Sequence, residues 1–547
     1  MITNGRVQLW PFLRVALFLV VGVLIGDALD CRVPSCVWMW AYVALFSAFV
    51  ASYFFLRKHP IFQTVVLFIM VVAGGLWRTT CFLEDYNVSF SDAPETFEAV
   101  VETQPVEKER SVKCQLAVTK GRLAGHSIIA FFPKKDYQYE DDGTGVDARQ
   151  LVIGDGLVVC SRLEKAEWER RTADKGRDSH FDYGRWLKVH DVIARTYVPY
   201  GSCARKVLSL NSLSMPKRLS IVLDRVRRKA MTHLAVYGVS DDAYAIVGAM
   251  TLGDKTALSD AARETYSVVG VSHVLALSGL HLGIIFMLLA AILIPFGSSM
   301  GRLIIGNLFL ILSIWAYALM VGMSSSIVRS AVMYTCFAFF GLMSAKPQSL
   351  NSLGIAVVVL VLGNPMSLWD VGFQMSFLAV FGILAFNERF YYIIKPRYLQ
   401  SHRMVDWIWT MFKVSMAAQV MVAPIIIYYF GRFSCYFLLA NYIAIPAVTL
   451  IVYLSLVFYI MAFVSLPFFP RLIAYLLNRI VAVLNASLDW IATFPGASID
   501  NISFSGTQLV LVYVAITLFF CLSYYLEDMY RSAYGYKIMK GALLYNV

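Results

Sequence analysis

The sequence centres on an apolar stretch that reads Val268-Val-Gly-Val-Ser-His-Val-Leu-Ala-Leu-Ser-Gly-Leu-His-Leu-Gly283. The stretch is hydrophobic enough to enter a membrane, yet it contains His273, Ser278 and His281. On one continuous helix of about 3.6 residues per turn, the two histidines would lie within roughly 80° of each other. Polar groups at membrane depth are costly, and they normally face a cavity or another part of the protein. Two interpretations follow: the histidines line a polar passage, or they cap hydrogen bonds between helices.

The composition indicates a polytopic membrane protein. The 547 residues are 59% hydrophobic and only 15% charged, whereas a soluble domain carries about 25% charged residues. The net charge of +11 suits a polyanionic partner, but cytoplasmic loops also collect Lys and Arg for topological reasons, so charge alone does not decide the function. The nine cysteines form no CxxC pair or Cys/His cluster, which argues against a zinc site and leaves disulfides and buried thiols open as alternatives.

The first 78 residues predict three transmembrane helices, over about 11–29, 38–56 and 60–77. Each of these runs is close to the roughly 20 residues that a spanning helix needs. The N-terminal tail and the loop 57–60 are basic, which places both in the cytoplasm and leaves the chain outside after the third span.

Residues 79–205 predict an extracytoplasmic domain of short strands, because charged residues and alternating runs replace the apolar spans. The clearest runs are 96–103, 115–119 and 154–160. Several short strands in a segment of this size favour a small β-barrel of the OB type. Cations beside Phe131 and Phe132 would suit single-stranded DNA, and a solvated surface is the alternative. The candidate DNA-binding residues are Lys113, Lys120, Arg122, Lys134 and Lys135.

Residues 206–240 predict a basic amphipathic helix on the membrane surface, since Lys and Arg alternate with aliphatic residues there. Residues 241–527 then predict about nine spans and residues 528–547 a cytoplasmic tail. Alternation of the spans puts the basic loop around Arg403 and the basic tail inside, in agreement with the charge rule. The predicted runs are 274–296, 303–322, 328–345, 350–363, 368–386, 407–429, 436–464, 472–493 and 508–526.

Polar residues interrupt these spans at several places, and such a pattern suits a polar passage through a bundle. Pro424 and Pro446 mark points where helices are expected to break, and the glycines around the histidines would allow close approach of another backbone. Each position taken singly also has a structural interpretation. The candidate passage residues are His273, Ser278, Gly279, His281, Arg329, Asp370, Gln374, Ser376, Gln419 and Asn441.

The motif Val271-Ser-His-Val-Leu-Ala-Leu-Ser-Gly-Leu-His-Leu282 resembles the signature of the competence-type membrane channels, the ComEC family, which pass single-stranded DNA into bacteria. The segment 181–187 resembles the end of the OB-like domain of that family. Further similar segments lie around Arg329, at 365–376, at 419–424 and at 441–446, so the resemblance covers about 79–450. Family members often carry a C-terminal metallo-β-lactamase-like domain. The sequence shows no such motif, and we expect no nuclease activity from it.

The resemblance implies a bacterial inner-membrane channel that translocates single-stranded DNA into the cytoplasm during natural transformation. We expect no enzymatic activity, no cofactor and no metal. The expected partners are single-stranded DNA, membrane lipid, a periplasmic DNA receptor and a cytoplasmic DNA motor or helicase, because the sequence has no GxxxxGK[ST] loop of its own. Two alternatives remain: an intramembrane enzyme that uses metal or acid–base groups at His273, His281 and Asp370, and a secondary transporter of an anionic solute.

Overall fold

The fold is mostly helical, with a single larger sheet inserted between two groups of apolar helices. The computed structural model describes residues 10–55, 59–134, 146–165, 183–208, 213–293, 300–342, 349–391, 401–464 and 468–544. Within these ranges, eight helices are long and apolar enough to cross a membrane, and four shorter helices are apolar. These helices are those of a polytopic membrane protein.

Three helices precede the sheet, as the sequence predicts. They are α1 (Pro11–Leu29), α2 (Ser35–Phe55) and α3 (Pro60–Tyr86). Both α1 and α2 pack against α3. At 1.5 Å per residue, the 27 residues of α3 extend for about 40 Å, which exceeds the roughly 30 Å of a hydrocarbon core. The end of α3 therefore reaches beyond the apolar layer.

The strands lie in the segment where alternation predicts them. They are β1 (Glu95–Val101), β2 (Val106–Glu107), β3 (Ser111–Lys120), β4 (Ser127–Pro133), β5 (Gly156–Ser161), β6 (Leu163–Lys165), β7 (Val192–Tyr197) and β8 (Cys203–Arg205). We call this part of the chain, with the short helix α4 (Tyr183–Val189), the sheet domain. All described pairings are antiparallel except that of β4 with β7.

The prediction of a small barrel is wrong. The strands follow the order β6-β7-β4-β3-β1-β5-β8, with β2 added on β3, and no ladder among the described strands joins the two ends. A closed barrel would need β6 and β8, the strands at the two ends of this order, to pair with each other. Each of them has only three residues, which leaves little backbone for a closing ladder.

The sheet domain has an apolar core that α3 helps to form. Alternate residues of β3, among them Cys114 and Leu116, point into this core together with residues of β1, β4, β5 and β7. Tyr86, the last residue of α3, belongs to the same core, and Phe82 packs against it. The hydroxyl of Tyr86 lies 3.3 Å from the Leu187 carbonyl oxygen. Helix α3 thus ends inside the sheet domain.

The basic amphipathic segment forms α5 (Met215–Val236) and connects the sheet domain with the bundle. Ile221 is fully buried against Val100 and Ala117 of the sheet. The Lys217 ammonium donates to the Gly125 carbonyl at 2.8 Å. The Arg227 guanidinium donates to the Met320 carbonyl at 2.8 Å. The charge pattern alone predicts a membrane-surface helix, and the structure adds these three contacts with the sheet domain and the bundle.

The remaining helices form the bundle. They are α6 (Asp241–Val247), α7 (Asp260–Val268), α8 (Ser272–Leu275), α9 (Gly279–Leu293), α10 (Met300–Met320), α11 (Ser325–Leu342), α12 (Ser349–Gly363), α13 (Val371–Tyr391), α14 (Arg403–Phe430), α15 (Phe437–Phe463), α16 (Phe468–Ala492) and α17 (Gly506–Leu544). A π-helical turn, Gly248–Leu252, extends α6 and ends at Gly253 with a φ of 75°. A short strand pair, β9 (Phe433–Ser434) with β10 (Ser498–Ile499), ties two loops of the bundle together.

Each predicted span of the bundle overlaps one of these helices, but the predicted breaks at prolines are absent from them. Pro424 lies inside α14 and Pro446 lies inside α15, and both helices continue without interruption. A proline removes one backbone donor, and neighbouring helices can compensate for that loss inside a packed bundle.

Candidate functional site

The central apolar stretch does not form one helix. Helix α8 ends at Leu275, Ala276 is extended with a ψ of 131°, and α9 begins at Gly279. The prediction that places His273 and His281 on one continuous helical face is therefore wrong. Gly270 explains part of the difference, because its φ of 82° ends the preceding turn in the left-handed region that favours glycine.

His281 lies at the start of α9 and is completely buried. The Ser278 backbone N–H donates to His281 Nδ1 at 3.2 Å, and the Ser278 hydroxyl lies 3.0 Å from the same nitrogen. This contact resembles a capping box, in which the third residue of a helix bonds back to the residue before the helix. Because Nδ1 accepts a hydrogen, Nε2 carries the proton of the neutral ring. His281 Nε2 has no partner among the described residues.

The other histidine, His273, lies on the short helix α8. Its ring hydrogen-bonds to the Gly270 backbone and lies close enough to His281 for the two rings to interact electrostatically. No group of three His, Cys, Asp or Glu side chains in the described part of the chain is arranged to hold a metal ion.

Two glycines of α9 bring this helix into direct contact with α11. A Cβ atom at Gly279 would lie 2.5 Å from Ser330 Oγ and 2.8 Å from Arg329 Nη2. A Cβ atom at Gly283 would lie 2.4 Å from the Tyr334 hydroxyl. These distances leave no room for a side chain. The four-residue spacing of the glycines therefore allows the close helix contact that small residues permit in membranes.

Arg329 is the buried cation beside this contact. Its side chain is only 4% exposed. Nη1 donates to the Ser376 carbonyl, Nη2 donates to Ser330 Oγ at 3.2 Å, and the guanidinium lies 5.7 Å from the Phe377 ring centroid. Nε has no hydrogen-bond partner among the described residues. None of the ion pairs within the described ranges gives Arg329 a carboxylate.

Asp370, Gln374 and Ser376 mainly hold the start of α13. The Asp370 carboxylate accepts the Gly372 and Phe373 backbone N–H groups, at 3.1 and 3.2 Å, and the Ser325 hydroxyl at 2.8 Å. An aspartate in this position caps the helix. The side chain of Gln374 donates to the Leu368 carbonyl at 2.7 Å. Ser376 Oγ donates to Ser326 Oγ at 3.0 Å and so links α13 to α11.

The last two predicted passage residues lie on neighbouring helices. Gln419 is half-buried on α14. Asn441 on α15 donates to Ser415 Oγ at 3.3 Å, while its Oδ1 has no partner within the described ranges. The structure adds Lys413, which the sequence analysis missed and which is only 4% exposed. A single lysine in an otherwise apolar run is a signal that could have identified it.

The predicted DNA-binding residues are spread over the sheet domain. Lys113 and Lys120 lie near opposite ends of β3. A register irregularity before Lys120, which pairs with Glu98, leaves both lysines on the face that points away from the core. Arg122 bonds to the Ser89 carbonyl and lies 3.6 Å from the Glu95 carboxylate. Lys134 pairs with Glu107 at 2.8 Å. Lys135 lies outside the described residues.

A cavity of about 560 Å³ lies where the sheet domain meets the bundle. Its lining combines α4, the 3₁₀ turn Pro365–Trp369, and the ends of α13, α14 and α17. Asp370 and Gln374 belong to this lining, which also contains Arg185, Trp186, Trp369 and two tyrosines. The guanidinium of Arg185 lies 4.2 Å from the Trp369 ring centroid. Arg185 and the four rings are not among the site residues predicted from the sequence.

Two separate parts of the structure can attract an anion. Buried nitrogen donors at His281 and Arg329 lie inside the bundle, and an aromatic cavity with a guanidinium lies at its junction with the sheet domain. Donors that are removed from water and left unsatisfied favour a polar or anionic guest.

Fold and site together define a class: a helical multi-pass membrane protein with an attached sheet domain and buried polar groups inside its bundle. A family model described as Competence protein matches residues 250–525, slightly more than half of the chain, and the chain belongs to that family. ComE operon protein 3 of Bacillus subtilis (strain 168) is 24% identical over 411 residues, which cover 74% of this chain and 47% of the relative. The matched segment thus spans about half the length of that relative. No solved structure matches the chain.

Proposed function

We propose that this protein conducts single-stranded DNA across the bacterial inner membrane during natural transformation, with the bundle as the passage. The proposal joins family membership to one structural observation, the Arg329 guanidinium that is buried without a carboxylate among the described residues. A DNA strand carries one negative charge per nucleotide, and a low-dielectric layer opposes its passage. A buried cation without a counter-charge lowers that barrier.

The sparse placement of cations supports a passage rather than a tight binding site. Conduction requires contacts that are favourable enough to admit a charged group and weak enough to release it. Arg329 keeps part of its hydrogen-bonding capacity on Ser376 and Ser330, so it offers a phosphate a limited number of donors. His281 contributes a neutral N–H donor through Nε2.

The sheet domain, in this proposal, lies outside the cytoplasm and guides the strand towards the bundle. The charge distribution of the loops supports this orientation. The bundle itself contacts lipid. The strand reaches the sheet domain from a periplasmic DNA receptor, and a cytoplasmic motor or helicase draws it inwards. We assign no enzymatic activity to the chain.

The test is import of labelled DNA into cells in which this chain is the sole copy. Arg329→Gln removes the charge and keeps much of the volume. Loss of charge-assisted hydrogen bonds should lower cytoplasmic DNA by about 10- to 100-fold, while DNA bound outside the cell stays unchanged. Arg329→Lys should fall between this variant and the wild type, because it keeps the charge and loses the planar fork.

The matched control is Arg479→Gln, at an exposed arginine whose Nε donates to the Tyr475 hydroxyl on the same helix surface. It should import DNA normally at an equal protein level. Normal import by Arg329→Gln would remove this residue from the passage. If the Arg329→Gln cells instead lost transport of a small anionic solute while DNA import stayed intact, a transporter would be favoured. A buried guanidinium can serve either cargo.

A further inference from the structure

The cavity between the sheet domain and the bundle has the composition of a base-binding site. Four aromatic side chains and one guanidinium line its volume of about 560 Å³. Pockets for small ligands occupy about 300–1,000 Å³ and combine hydrophobic and aromatic walls with a few polar groups. The aromatic side chains are Trp186, Trp369, Tyr428 and Tyr429.

The polar groups of the cavity favour an anionic, hydrogen-bonding guest over a purely apolar one. The Arg185 guanidinium lies 4.2 Å from the Trp369 ring centroid, and its Nη2 atom is 3.5 Å from the Asp27 carboxylate. A guanidinium held flat on an indole can contact a phosphate or the edge of a base. The Asp370 carboxylate is engaged in capping α13, so its charge is partly compensated by the helix.

A row of side chains continues from the cavity across the sheet. Trp186 belongs to the cavity, and the Lys113 ammonium lies 6.0 Å from its ring centroid. Lys113 pairs with Phe131 in the register of β3 with β4, and Phe131 pairs with Tyr197 in the register of β4 with β7. The rings of Phe131 and Tyr197 are stacked with centroids 5.1 Å apart, and Tyr197 is 59% exposed.

These contacts give a continuous track with a defined direction. It starts at the exposed ring of Tyr197, passes Phe131 and the ammonium of Lys113, and ends at Trp186 in the wall of the cavity. Rings that follow one another along a basic surface bind single strands, because every nucleobase has a face that can stack. The bases of a duplex are already stacked on their neighbours, so the track selects unpaired bases.

We propose that the cavity binds the unpaired nucleobases of a single DNA strand and passes them from the sheet domain to the bundle. This inference rests on the proposed function and adds a site to it. Trp186 and Trp369 stack on the base, and Arg185 contacts the adjoining phosphate.

The experiment measures equilibrium binding of fluorescent oligonucleotides to the purified full-length chain in detergent. One probe is an oligothymidine, and the other is an abasic oligomer of equal length and charge. The double variant Trp186→Leu with Trp369→Leu should weaken oligothymidine binding by about tenfold or more and leave binding of the abasic oligomer within about twofold, because it removes stacking and no charge.

Two controls make the result specific. Trp186→Phe with Trp369→Phe keeps two rings and should retain most of the affinity for oligothymidine. Trp40→Leu changes an exposed tryptophan on α2 and should bind both probes as the wild type does. Equal losses for both probes, unchanged binding of oligothymidine, or no preference of the wild type for bases would each overturn the inference.

The outcome separates this site from the function on which it rests. The binding measurement reports on the cavity alone, whereas DNA import into cells reports on the passage. Wild-type import together with unaltered binding by the leucine variant would refute the base site and leave the channel intact. A base preference in a chain that imports no DNA would refute the channel and leave the binding site.

Discussion

The sheet domain and the helix bundle place their charged side chains in opposite ways. In the sheet domain, Lys206 lies 2.7 Å from Glu98 and Lys134 lies 2.8 Å from Glu107. In the bundle, Arg329 is 4% exposed and has no carboxylate among the described residues. Exposed pairs contribute only about 0–1 kcal/mol each, whereas an uncompensated buried charge is costly and is normally kept for function. The number of charges in a region therefore says less about its function than the partners those charges have.

The two regions also differ in the composition of their interiors. The core of the sheet domain is apolar and includes the thiols of Cys114 and Cys203. The bundle interior contains hydroxyls, an imidazole and a guanidinium close to the α9–α11 contact. Three experiments sharpen this contrast.

The largest effect is expected at the α9–α11 contact. Gly279→Leu places carbon atoms where Ser330 Oγ and Arg329 Nη2 lie within 2.8 Å of a Cβ position. Overpacking of this kind costs about 1–3 kcal/mol or more, and it should displace Arg329 and abolish DNA import. The measurement is labelled DNA in the cytoplasm, together with the amount of inserted protein.

A glycine with open surroundings provides the control for this variant. No atom of the described residues lies within 4 Å of a Cβ at Gly301 on α10, so Gly301→Leu should import DNA normally. Ser330→Gly should partly rescue Gly279→Ala, because it removes the nearest atom. Full import by Gly279→Leu would show that the close contact has no part in the passage.

An intermediate effect is expected for the thiols of the sheet domain. Burial raises the pKa of Cys114 from 9.0 to about 12 and the pKa of Cys203 from 9.0 to about 11. The thiolate is the reactive form, so alkylation at pH 8 should be at least about 100-fold slower at these two residues than at the exposed Cys160. Mass spectrometry of the native and the denatured chain measures the three rates.

The same shifts fix the sign of a pH effect on stability. Below the unfolded pKa of 9.0, both states keep these protons, so the contribution to stability is fully present. As the pH rises from 9.0 towards the folded values of about 11 and 12, only the unfolded state loses protons, and stability falls. Rapid alkylation of Cys114 in the native chain would contradict a closed apolar core.

The smallest effect compares the two ends of one strand. Lys113→Glu and Lys120→Glu are the same charge change on β3, but Lys113 lies beside Trp186, whereas Lys120 lies near the other end of the strand and pairs with Glu98 in the register of β1 with β3. Lys113→Glu should weaken single-stranded DNA binding about fivefold and reduce the salt dependence by about one phosphate contact. Lys120→Glu should change binding by less than about twofold. Equal effects would mean that the cations act through the overall field rather than through the track.

Local patterns in the sequence predict much of the fold. Alternation identifies β1, β3 and β5, and apolar length identifies the helices of the bundle, because both patterns depend on neighbours in the chain. The break in the helix at Ala276 is harder to predict from the sequence, because it depends on the close contacts that Gly270 and Gly279 make with other elements of the bundle. The absence of barrel closure among the described strands could not be predicted either, because it depends on whether the two end strands, β6 and β8, pair with each other.

In the candidate site too, individual residues could be predicted from the sequence, whereas their partners on other elements could not. His281 and Arg329 could be selected from sequence because polar residues are conspicuous in apolar runs. Their hydrogen-bond partners could not, since Ser376 lies on another helix. The cavity was out of reach because it brings Trp186 of α4 together with Tyr429 of α14 and Gly506 of α17, and no local period records such contacts.

Helix α3 has a mechanical consequence. It runs unbroken from Pro60 to Tyr86, and its last residue is anchored in the sheet core. An α-helix resists bending far more than a loop does. Helix α3 therefore joins the sheet domain to the membrane helices as a rigid connection rather than as a flexible linker. In the proposed function, tension on a DNA strand held by the sheet domain would compress α3 along its axis, and the stiffness of the helix would keep the mouth of the cavity at a fixed distance from the membrane.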